Sequence, residues 1–148
     1  MNYKVEILEN KPLTVARMKM TIPDYSTDLD LMAVNTMKNE LKRKGVEPLD
    51  TPYDFSVSYD STYRIEVIDV EINVGVKSKG EDSEIIKFVE LPAVETLIRV
   101  TADNFEDIYI ALAEWMHDND YVADGGLRTI IHSGREFIYD CPVKPAGD

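Results

Sequence analysis

The side chains best suited to hold another molecule are a set of aromatics and one acid. Tyr59, Tyr63, Trp115 and Tyr139 offer flat stacking surfaces, and Thr129 offers a polar contact. Glu66 supplies a carboxylate that seeks a positive partner when buried, and Asp69 is a second acid close by. Together they would line an aromatic groove for a hydrophobic or cationic small molecule. The competing use of each aromatic is core packing. Groups for catalysis are sparse. His117 and His132 stand far apart with no second ligand pair beside them, so no metal is expected. There is neither a glycine-rich phosphate loop nor a nucleophile elbow. The single cysteine, Cys141, reads as a buried filler and can form no internal disulfide. The chain therefore reads as a binding protein, not an enzyme, with no cofactor and no catalytic residue.

Charge narrows the partners. The chain has 16 Lys and Arg against 28 Asp and Glu, a net charge of −12. Such a surface repels phosphate backbones, which argues against nucleic acid, and attracts cations, lipophilic amines or a basic protein. No apolar run approaches the roughly 20 residues of a membrane helix. Met1 to Glu6 lacks a signal-peptide core. These features predict a cytoplasmic protein with no membrane partner. At 148 residues, 44% of them apolar, the chain is sized for one domain with a true core.

The elements that must position these residues are written twice. Pro12 to Thr21 and Pro92 to Thr101 align proline with proline, Met18 with Ile98, Lys19 with Arg99, Met20 with Val100 and Thr21 with Thr101. Each copy is followed by an acidic turn, an amphipathic helix and a strand-rich tail. A half-buried strand over Tyr3 to Leu8 precedes the first copy, and one over Glu84 to Val89 precedes the second. The first helix starts near Thr27, with Thr27 and Asp30 at capping-box spacing. Leu29, Met32, Ala33, Met37 and Leu41 form its apolar face. Lys42, Arg43 and Lys44 suit its last turn, and Gly45 ends it. Phe55 to Tyr59 alternates as a strand. A longer strand from Tyr63 changes phase, which places a bulge near Val67 and Ile68. Asp103 and Glu106 would cap the second helix, whose stripe is Phe105, Ile108, Tyr109, Leu112 and Met116. That helix closes on acids at His117 to Asp120, against its dipole. Phe137 to Val143 is the last strand, and Pro142 suggests that its end lies at a sheet edge.

The predicted fold class is α+β. Duplicated β-α-β-β units would form one antiparallel sheet with two long helices packed on one face. Residues 1–148 would be a single domain of two pseudo-symmetric halves, about 1–76 and 84–148, joined by the polar Lys77 to Ser83. A groove where the copies meet would be the natural ligand site.

This order of elements resembles the gyrase-inhibitor-like (GyrI-like) domain, which is also the effector-binding domain of multidrug-responsive bacterial transcription activators. The carrying residues are the opening strand followed by Pro12 and Val15-Ala16, then Val57-Ser58-Tyr59-Asp60 and Leu91-Pro92-Ala93. Next come the helix from Tyr109 to Trp115, Tyr121, and Cys141-Pro142-Val143. The resemblance implies a stand-alone effector-binding domain without a DNA-binding domain of its own. Two departures qualify it. Val100-Thr101-Ala102 stands where relatives place a histidine, a glycine and an aromatic. Thr129 and Ile131 stand where they place a buried glutamate and a tyrosine. The resemblance thus implies small-molecule binding but removes the usual acid for a cation. Other readings of the chain are an acidic adaptor, inhibitor or cargo chaperone and, last, a small hydrolase.

Overall fold

The structure is a computed structural model that describes residues 3–22, 27–58 and 68–147. In chain order its elements are β1 (Tyr3–Asn10), β2 (Leu13–Ile22), α1 (Thr27–Lys44), β3 (Asp54–Ser58), β4 (Ile68–Val76) and β5 (Lys87–Leu91). They continue with β6 (Val94–Ala102), α2 (Phe105–Asn119), β7 (Tyr121–Ala123), β8 (Arg128–Ile130) and β9 (Phe137–Pro145). The fold is α+β, as predicted, with antiparallel strand pairs and, among the described residues, two helices. No helix among the described residues is long and apolar enough to cross a membrane.

The chain divides into two compact units. One holds Met1–Lys11, Ala93–Ile130 and Gly134–Asp148, and the other holds Pro12–Pro92 and Ile131–Ser133. In the α1 unit the strands run β5-β2-β4-β3. In the α2 unit β1 pairs with β6 and β6 with β9, while β8 and β7 share the far edge of β9. The repeated segments are β2 and β6, each flanked by a strand on both sides in its unit. The outer strand beside each comes from the other half of the sequence. β1 lies against β6, with Ile7 opposite Ile98. β5 lies against β2, with Lys87 opposite Arg17.

Alternation then decides which residues face each helix. In the α1 unit Ala16, Ile72, Val74, Val76 and Phe88 lie under Val34, Met37 and Leu41, with Met18 and Met20 beside them. In the α2 unit Ile98, Val100, Tyr139, Cys141 and Val143 lie under Ile108, Ala111 and Leu112. Burial also pushes the Cys141 thiol above its ordinary pKa, with the Asp140 carboxylate adding to the shift.

The helix-free faces hold polar groups taken out of water in pairs. Asp140 is fully buried and accepts two hydrogen bonds from Arg99, at 2.7 Å from Nε and 2.8 Å from Nη2. This two-pronged geometry meets the desolvation cost of the carboxylate. In the α1 unit Arg17 Nε donates to Oδ1 of the buried Asn73 at 2.8 Å, and Glu71 lies 3.8 Å from the same nitrogen. Gly75 lets the 46–53 loop cross β4. A Cβ there would sit 2.7 Å from Leu49 Cδ1 and 3.2 Å from the Tyr53 carbonyl.

Four local expectations are corrected. The cap of α2 is Asn104, whose side chain accepts from the Asp107 N–H at 2.9 Å, so the capping pair sits one residue later than Asp103 and Glu106. Met32 is 64% exposed, because the buried stripe of α1 runs through Asp30, Ala33, Val34, Met37 and Leu41. β5 starts at Lys87 and not Glu84, since Ser83 to Ile86 folds into a turn. Pro142 lies inside β9. Its carbonyl accepts from Asp124 N–H on the side away from β6, between the β8 and β7 pairings. Proline has no N–H, so its carbonyl makes that contact alone. The bulge expected near Val67 falls outside the described residues.

Candidate ligand-binding site

The clearest cavity in the described residues lies in the α1 unit and holds about 400 Å³. Its floor is apolar: Met18 from β2, Met37 from α1, and Ile86 from the turn before β5. Helical spacing places Thr36, Asn39, Glu40 and Arg43 along one wall. Glu40 and Arg43 form an exposed ion pair at 3.1 Å.

The opposite wall is built by one serine. Ser83 N–H donates to the Ile86 carbonyl at 2.8 Å, and Ser83 Oγ accepts from Ile86 N–H at 3.1 Å. This turn buries Ile86 and leaves Ile85 68% exposed at the cavity mouth. Asp82 adds a bond from Phe88 N–H to its Oδ1 at 2.9 Å, and Lys44 Nζ reaches the Glu81 carbonyl at 3.2 Å. The loop is thereby pinned to α1 and β5. Gly80 permits the close fit, because a Cβ would lie 2.7 Å from Val46 Cγ2 and 2.8 Å from Phe88 Cζ.

Two buried acids share the helix side of this unit. Asp54 Oδ2 meets Lys38 Nζ at 2.8 Å, which ties α1 to β3. Asp30 sits in the first turn of α1, where burial pushes its pKa up to about 6. Among the described residues its Oδ1 has no hydrogen-bond partner.

The expected binding residues that the structure describes do not line this cavity. Tyr59, Tyr63 and Glu66 lie outside the described residues. Tyr139 is buried beneath α2, with the Phe105 ring edge-on at 5.4 Å. Trp115 packs against the same core and leans on Tyr121, ring centres 5.1 Å apart. Thr129 stands opposite Tyr139 in the β8–β9 pair, so the fold brings those two together. Asp69 Oδ1 accepts from Thr21 Oγ1 at 2.6 Å. No group of three or more His, Cys, Asp or Glu among the described residues could hold a metal ion. Sequence reasoning missed the cavity because Ile85 and Ile86 read there as strand residues. The signal that could have found it is Ser83, a side chain able to close a turn just ahead of two isoleucines.

No protein-family model matches the chain, and no curated protein matches it in sequence. Solved structures do. The isolated EcmrR C-terminal domain superposes with a TM-score of 0.78 at 23% identity, covering 99% of this chain and 100% of that one. The chain has the GyrI-like fold. EcmrR in its complex with DNA matches with a TM-score of 0.81 at 23% identity, over 99% of this chain. There the GyrI-like fold seen here spans 59% of the longer EcmrR chain. A Listeria innocua protein described as a hydrolase matches with a TM-score of 0.62 at 13% identity, covering 95% of this chain and 92% of that one.

Proposed function

We propose that this chain is a small-molecule-binding domain whose ligand is a hydrophobic or lipophilic cationic compound, bound without chemical turnover. One observation carries the reading: the cavity of about 400 Å³ between α1, β2 and the 83–86 turn. That volume falls in the range of ligand pockets, and its make-up is theirs too, an apolar floor with a few polar groups at the rim. The fold shared with the EcmrR C-terminal domain supports it. Met18, Met37 and Ile86 would hold the apolar body, and Ile85 would close over it. The Glu40 carboxylate, held by the exposed Arg43, is the group that a ligand amine would take over.

Thermal-shift and calorimetric titrations with aromatic amines and with neutral hydrophobes test this. Ile85→Ser should weaken both classes about tenfold while leaving the fold intact, since the side chain is exposed. Glu40→Gln should weaken the amines alone. Absence of binding by every compound, or affinities indifferent to Ile85→Ser, would refute the assignment.

A further inference from the structure

We propose that the outer edge of β1 is a self-association surface, on which a second copy of this chain adds its own β1 antiparallel. A sheet edge presents unpaired N–H and C=O groups and is a template for another strand. Among the described residues β1 pairs with β6 alone, so every second residue turns its backbone groups outward. β5, the outer strand beside β2, is treated differently. Asp82 takes the Phe88 N–H, and Ser83 takes both backbone groups of Ile86. Those bonds cap the start of the β5 edge. β1 carries no such cap among the described residues.

The sequence of β1 is self-complementary about Val5. A twofold axis there sets Lys4 opposite Glu6 of the other copy and Glu6 opposite its Lys4. On the other face Tyr3 meets Ile7 in both directions, and Val5 meets itself. Lys4 and Glu6 are solvent-accessible and already 3.3 Å apart along their own strand, so both side chains occupy the face where the pairing needs them. Opposite charges facing each other across antiparallel strands favour that register over its neighbours. Ile7, 64% exposed in the single chain, would gain cover from the tyrosine of the second copy. The contact is isologous, so it closes at two copies, and the capped β5 edge opposes further growth.

Sedimentation velocity from low micromolar to submillimolar concentration tests this with a charge-swap cycle. Wild type should show a reversible monomer–dimer equilibrium. Lys4→Glu and Glu6→Lys should each weaken the dimer about tenfold, because each sets two like-charge pairs across the axis. The double variant Lys4→Glu/Glu6→Lys should recover wild-type affinity. A chain that stays monomeric throughout, or a dimer indifferent to the swaps, would overturn the proposal. Val5→Cys gives a separate readout if a swap variant fails to fold. A disulfide-linked dimer under mild oxidation supports the pairing, and its absence overturns it.

Discussion

Asp30 is an acid that the fold keeps nearly dry, with Oδ1 meeting no hydrogen-bond partner among the described residues. Burial disfavours the charged form, and its pKa rises from 3.8 to about 6. The folded state therefore binds this proton more tightly than the unfolded chain does. Stability from this group falls as pH rises between about 4 and 6, and the full cost, roughly 2–3 kcal/mol, is present above that window. Asp30→Asn should be more stable than wild type at pH 7, with the gap closing toward pH 4. Urea melts of both proteins across that range check this, and a gap independent of pH would contradict it. In the sequence Asp30 reads as a capping partner of Thr27. Its burial depends on what α1 lies against, which local spacing does not encode. Cys141 was legible because a lone cysteine in an apolar strand has few other uses, and Gly45, at φ +75°, was legible as the residue that leaves a helix.

At the scale of elements, periodicity located both helices, while cap chemistry set their ends. Asn104 accepts the Asp107 N–H, and its own Nδ2 lies 3.0 Å from the Asp107 carboxylate. Asn104→Ala should cost about 1 kcal/mol in a denaturant titration, with an unchanged m-value. At the other end the acids tolerate the dipole because backbone groups there are satisfied. Asp120 adopts the left-handed conformation and donates its N–H to the Met116 carbonyl, and Asn119 Nδ2 caps the Trp115 carbonyl at 2.9 Å. Side-chain spacing could not show this, since the cap is made largely by main chain. Met32 misled for a related reason. Its step of five from Met37 puts it well around the helix from the stripe that the sheet covers. The short β7 escaped notice because three residues carry too little alternation to read.

For the whole molecule, the order of elements and the doubled segment beginning at Pro12 and Pro92 were enough to anticipate the α+β architecture. The repeat marks β2 and β6, two of the inner strands, where both neighbours constrain sequence most. It is silent on the outer strands, whose single neighbour leaves their chemistry freer. That is why the lodging of β1 beside β6, and of β5 beside β2, had to be seen in the structure. This exchange bears on how the protein could be divided. Severing the chain within Lys77 to Ser83 would leave each fragment holding a strand that belongs to the other's sheet and lacking one of its own. Neither piece expressed singly should give a cooperative melt, whereas the two produced in one cell should co-purify and recover it, each lending the other a missing border. A solitary fragment that melts cooperatively would show that the borrowed strand is dispensable.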